Sequence, residues 1–104
     1  YCYVMDVVTA LLIILTNGKS SEAYNIANKN SNVTIREFAD TIAEINGVGV
    51  KYEYPQEIEK QGYSIISNYT LRTEKIEQLN WYPIYDLTEG VKEMSKTYKM
   101  MNGI

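Results

Sequence analysis

A helix in a small domain needs one apolar face, yet the stretch from Val7 to Leu15 offers apolar side chains on all of them. Val7, Val8, Ala10, Leu11, Leu12, Ile13, Ile14 and Leu15 are interrupted only by Thr9. Asp6 stands where an N-cap belongs, and Asn17-Gly18 supplies a stop, so the pattern predicts a helix from Val7 to about Thr16. A helix apolar all round is a buried helix. A chain of 104 residues that packs in two layers covers only one side of such an element. The segment is therefore expected to lie against a larger body or against another copy. It falls well short of the about 20 residues needed to cross a bilayer. The residues before it, Tyr1-Cys2-Tyr3-Val4-Met5-Asp6, carry no cation and do not read as a secretory leader, so the expected compartment is the cytoplasm.

Inventory excludes several chemistries. There is no histidine and a single cysteine, Cys2, which rules out a histidine-based triad, a Cys-His pair, a Cys/His zinc site and an internal disulfide. No carboxylate-rich calcium loop is present, and no metal is expected. Acidic residues outnumber basic ones 13 to 10, for a formal charge of -3. Nucleic acid and anionic membranes are poor partners for such a surface. Two N-x-T triplets, at Asn32 and Asn68, read as capping or turn chemistry.

Along the chain, strand-type residues at Tyr1–Val4 precede the first helix, and Ala23–Ala27 reads as a second short strand. A loop rich in Asn and Ser leads to Thr34-Ile35-Arg36-Glu37, a capping box. Beyond it, Ile35, Phe38, Ala39, Ile42 and Ile45 recur at helical spacing up to Asn46-Gly47. Val50, Tyr52 and Tyr54 alternate with charged residues as in a half-buried strand that Pro55 ends. The stretch Gln56–Ser67, centred on Gly62-Tyr63-Ser64, lacks pattern and reads as an irregular loop, the kind of segment that often carries function. A short helix at Thr73–Leu79 and a final one from Leu87 to about Met101, capped by Asp86, complete the chain. The final helix has a stripe of Leu87, Val91, Met94, Tyr98 and Met101. The expected fold is mixed α/β, with about four helices and two or three short strands in one unit spanning residues 1–104.

Nothing in this pattern builds a catalytic centre. The ten tyrosines suit half-exposed packing positions. Glu57, Glu59, Glu74 and Glu77 lie in solvated segments where nothing raises a carboxylate's pKa. Gly47-Val48-Gly49 follows a helix, whereas a dinucleotide-binding turn follows a strand.

Three segments in order carry a family resemblance. Tyr3-Val4-Met5-Asp6-Val7-Val8 is similar to a Y-V-x-D-V junction. Glu22-Ala23-Tyr24-Asn25-Ile26-Ala27 with Thr34-Ile35-Arg36-Glu37-Phe38-Ala39 is similar to a Y-N-I-G strand and its S/T-I-x-E-L-A helix. Leu71-Arg72-Thr73-Glu74-Lys75-Ile76 with Leu79-Asn80-Trp81-Tyr82-Pro83 and Leu87-Thr88-Glu89-Gly90 is similar to L-D-x-x-K-L-x-x-L-G-W-x-P and its trailing L-x-E-G. Together they resemble the C-terminal part of the extended short-chain dehydrogenase/reductase family, the NAD-dependent nucleotide-sugar epimerases and dehydratases.

The resemblance implies a substrate-side domain over residues 19–104, with residues 1–18 packing on a Rossmann domain this sequence lacks. It also implies NAD(P) in a parent protein and a nucleotide-diphosphate sugar as its ligand. No tyrosine here has a lysine four residues later, and no G-x-x-G-x-x-G occurs. The chain alone is thus expected to hold no cofactor and no catalytic residue. Candidate substrate contacts are Asn25 of the Y-N motif, Tyr63 and Ser64 of the irregular loop, Asn68 where the family often has arginine, and Arg72 in place of the capping aspartate. A homo-oligomer is expected from the first helix. The rival reading is a free-standing, self-associating interaction module from a truncated reading frame.

Overall fold

The computed structural model describes residues 1–63 and 69–104. Five helices follow one another: α1 (Val4–Asn17), α2 (Ile35–Asn46), α3 (Glu57–Lys60), α4 (Glu74–Glu77) and α5 (Leu87–Met101). No strand occurs among the described residues, which overturns the expected mixed α/β class with two or three short strands. The reason is physical. A strand exists only through a partner's ladder, and the β-prone segments are tethered by side chains instead. The Tyr24 hydroxyl accepts the Lys19 amide at 2.9 Å, and Tyr52 donates to Asp40 while its ring lies 4.5 Å under the Arg36 guanidinium. Tyr3 is extended, but the helix already begins at Val4, so Tyr1–Val4 forms no strand.

The two best-marked helices start as their sequences dictate. Thr34 Oγ1 accepts the Glu37 amide at 3.1 Å while Glu37 Oε2 accepts the Thr34 amide at 2.7 Å, a reciprocal cap that satisfies two orphan donors. Asp86 and Glu89 repeat the arrangement at the head of α5, with the Glu89 amide 2.7 Å from Asp86 Oδ1. Gly47 ends α2 at φ 66°, ψ 34°, a conformation that glycine adopts without strain, and the Val48 amide returns to Ala43 O at 2.9 Å. Residues 57–60, expected to be irregular, make one helical turn in which Glu59 accepts the Gln56 amide at 2.7 Å.

Packing is uneven. The core gathers Ala10, Ile76 and Trp81, with Cys2, Ile13, Ile14, Tyr24 and Ile26 partly buried around it. It therefore joins the inner face of α1 to α4 and to the turn after it, segments more than sixty residues apart. A second contact pairs α2 with α5. Here the expected stripes are only partly inward: Ala43 and Val91 are buried, Phe38 is half-buried and stacked 4.5 Å from the Tyr1 ring, and Ile35 is 78% exposed. Gly90 explains how α5 approaches. A Cβ at Gly90 would sit 3.3 Å from Tyr3 Cβ, so the absence of a side chain lets Tyr3 pack closely against the helix. The radius of gyration is 17.0 Å, against about 13 Å for a compact 100-residue domain. The chain is a flat, open assembly in which much of α1 faces outward.

Candidate functional site

Asp6 organises the region. Its position in α1 predicts an N-cap, but the helix starts two residues earlier and the carboxylate is 1% exposed. Its two oxygens accept the amides of Ile84 at 3.0 Å and Tyr85 at 3.1 Å. The segment between α4 and α5 is thereby pinned to the first turn of α1. Asn28 holds the same segment from the other side, donating to Tyr85 O at 2.9 Å, and Trp81 Nε1 donates to Thr9 Oγ1 at 3.0 Å. These are supports of the fold.

Beside this scaffold lies a notch of about 210 Å³, lined by Lys29, Thr70, Leu71, Arg72, Thr73, Glu74 and Glu77. It forms where the loop after residue 27 crosses the start of α4. Lys29 Nζ lies 2.8 Å from Glu77 Oε1, and Thr73 Oγ1 donates to the same oxygen at 3.1 Å. The hydrogen bond from Lys29 holds the Glu77 carboxyl below its ordinary pKa, and the same contact raises that of the Lys29 ammonium. Arg72 reaches Glu74 Oε1 at 3.2 Å through Nη2, with its side chain 86% exposed. The Glu74 carboxyl is also lowered, first by its own backbone amide and then by Arg72. Two cations and two carboxylates thus face one another, and the notch carries no net charge from them. Its threonine hydroxyls, ammonium and guanidinium are hydrogen-bond donors, those of Lys29, Arg72 and Thr73 engaged by the two carboxylates.

The candidate residues distribute unequally. Asn25 and Arg72 come together, Asn25 Nδ2 donating to the Arg72 carbonyl at 3.1 Å. That bond sets the backbone from which the guanidinium projects. Tyr63 is 62% exposed at the end of the α3 turn, and its recorded backbone bond is to Lys60 O. Nothing among the described residues joins it to the Asn25–Arg72 pair. Ser64 and Asn68 lie outside the described residues. No sequence motif points to Lys29 or Thr73. Lys29 sits between two asparagines, in what reads as a plain loop.

An apolar groove of about 400 Å³ runs between α2 and α5, lined by Phe38, Ile42, Val91, Met94 and Tyr98 with Asn46 and Ser95. Asn46 Nδ2 donates to Ser95 Oγ at 3.0 Å across it. Among the described residues no cluster of three potential metal ligands occurs, and no helix is long and apolar enough to cross a membrane.

The resemblance implies a dinucleotide in the parent protein, and the Gly47-Val48-Gly49 turn does not fit one. Gly47 closes α2 in the left-handed conformation, so the Gly47-Val48-Gly49 turn ends a helix and presents no helix N-terminus to a pyrophosphate.

No family model matches the chain, and no solved structure does. Among curated proteins it is similar to the dTDP-D-glucose 4,6-dehydratases of Mus musculus, with 28% identity over 102 residues, and Bos taurus, with 28% over 103 residues. That of Homo sapiens is likewise 28% identical, over 102 residues. Each match covers 95% of this chain but only 28% or 29% of the relative, so the chain spans less than a third of their length. The similarity supports a distant relationship to sugar-nucleotide dehydratases of the short-chain dehydrogenase/reductase type.

Proposed function

We propose that the chain is the C-terminal, nucleotide-sugar-binding portion of an NAD-dependent nucleotide-sugar dehydratase or epimerase, and that the 104 residues alone are catalytically silent. The supporting observation is similarity running along 95% of the chain to dehydratases whose name specifies dTDP-glucose. The ordered motifs that resemble the same family agree with it. NAD(P) belongs in this reading to the parent protein.

In this account the notch is where the ligand's oxygen atoms are held. Arg72, set by Asn25, and Lys29 supply charge-assisted donors, with Thr73 beside them. Glu74 and Glu77 occupy those donors by ion pairs, and a diphosphate would replace them. The Arg72–Glu74 pair is exposed and worth only about 0–1 kcal/mol, whereas the Glu77 side chain is 19% exposed and also accepts from Thr73, so the exchange is expected to begin at Arg72.

A ¹⁵N-resolved NMR titration of the chain with dTDP-glucose tests this. The expected result is a cluster of shifts at Asn25, Lys29, Arg72 and Thr73, with Arg72→Ala weakening binding about tenfold, as for loss of one charge-assisted hydrogen bond. Shifts confined to the α2–α5 groove, or none at millimolar ligand, would reject it. The alternative of a self-associating module is favoured by one observation, the outward apolar face of α1.

A further inference from the structure

Glu77 holds its donors as a phosphate oxygen would. Its Oε1 lies 2.8 Å from Lys29 Nζ and accepts from Thr73 Oγ1 at 3.1 Å, so one carboxylate oxygen engages an ammonium and a hydroxyl together. Thr73 is 5% exposed, and a hydroxyl has one hydrogen to donate. A buried hydroxyl left without a partner is costly, so whatever takes Lys29 from Glu77 must also bring an oxygen for Thr73. The backbone does not stand in the way of such an exchange. The Glu77 amide donates to Thr73 O at 3.1 Å, a helical bond that stays intact when the side chain changes rotamer.

Arg72 is held differently. Its Nε and Nη2 both lie 3.2 Å from Glu74 Oε1, and its side chain is 86% exposed. A guanidinium carries five N–H donors, so an oxyanion can meet Arg72 with Glu74 still in place. At Lys29 and Thr73 an incoming anion meets the Glu77 carboxylate first, at like charge and with the hydroxyl already engaged. The hydrogen bond from Lys29 holds that carboxyl below its ordinary range, which keeps it charged at neutral pH.

We infer, on the basis of the nucleotide-sugar reading above, that Glu77 is a resident anion that sets what the notch accepts: a ligand with one phosphate group leaves it in place, and a ligand with a diphosphate displaces it from Lys29 and Thr73. One phosphate gains Arg72 alone. A diphosphate brings a second charged group, and its oxygens replace the carboxylate oxygen at both donors. Glu77 is in this way a specificity-determining residue, and its pair with Lys29 is more than a tie between the loop and α4.

Calorimetric titration of the 104-residue chain with dTDP and with dTMP, beside the variant Glu77→Gln, tests this. Gln keeps a carbonyl oxygen for the Thr73 hydroxyl and removes the charge. The parent is expected to prefer dTDP. Glu77→Gln is expected to bind dTMP about fivefold more tightly, as for relief of one like-charge contact near a surface, so that the preference narrows. Glu74→Gln is expected to keep the parent's preference. If the Lys29–Glu77 pair only ties the loop to α4, Glu77→Gln weakens both nucleotides together, and that result would overturn the inference. Equal narrowing in Glu74→Gln would do the same. An unchanged preference in Glu77→Gln, with dTDP-glucose still shifting Arg72 in the parent, would overturn this inference and leave the binding reading standing. Failure of the parent and of Glu77→Gln to bind either nucleotide would reject both.

Discussion

Asp6→Ala is expected to lower the stability of the chain by about 2–5 kcal/mol, because the amides of Ile84 and Tyr85 each lose a charged acceptor at a cost of about 1–3 kcal/mol. Both bonds are close to 3 Å and the carboxylate is almost wholly buried. The loss falls on a joint, since those two amides tie the segment before α5 to the first turn of α1. Asp6→Asn keeps one carbonyl acceptor and should fall between the two. Urea unfolding followed by Trp81 fluorescence measures this. Equal midpoints for the parent chain and Asp6→Ala would show that the carboxylate does not hold the joint.

Trp81→Ala is expected to cost about 3–5 kcal/mol, the range for truncating a large buried aromatic side chain. Trp81 is 5% exposed and shares the core with Ala10 and Ile76. Its indole nitrogen also donates to Thr9 Oγ1 at 3.0 Å. Trp81→Phe separates the two contributions, because it keeps much of the packing and drops the hydrogen bond, for a smaller loss of about 1 kcal/mol beyond the volume change. Thermal unfolding by circular dichroism reads both. If Trp81→Ala unfolds at the parent temperature, the core lies elsewhere.

Features that a few neighbouring residues decide were legible in the sequence. The capping boxes at Thr34–Glu37 and Asp86–Glu89 need only residues three apart, and both form. The stop at Asn17-Gly18 is local as well, since a Cβ at Gly18 would come within 2.4 Å of Ile14 O. What requires a distant partner is not legible. Asp6 has the sequence context of a cap, and only the approach of residues 84 and 85, far along the chain, turns it into an internal acceptor. Val50, Tyr52 and Tyr54 alternate as a strand does, but alternation describes a surface that would fit a sheet, whereas Tyr52 lies against the helix carrying Arg36 and Asp40 and Tyr54 is 93% exposed. Ile35 belongs to the apolar stripe of α2 by spacing, yet α2 faces α5 across a groove lined by Phe38, Ile42 and Asn46, and Ile35 faces water.

The same division runs through the candidate site. Arg72 and Asn25 were marked from a resemblance and do meet, though through a backbone carbonyl that no motif encodes. Lys29 could be found only once the loop bearing it was seen to cross Glu77 at 2.8 Å. The signal at Tyr63 is the irregularity around it, which says nothing about proximity to the other candidates.

In the proposed function the chain has a substrate side and no catalytic machinery of its own. Incubating the purified 104-residue chain with dTDP-glucose and NAD and assaying for 4-keto sugar tests this. No product above a boiled control is expected, since neither a Tyr-x-x-x-Lys pair nor a dinucleotide turn occurs in the sequence. Product formed above that control would contradict it.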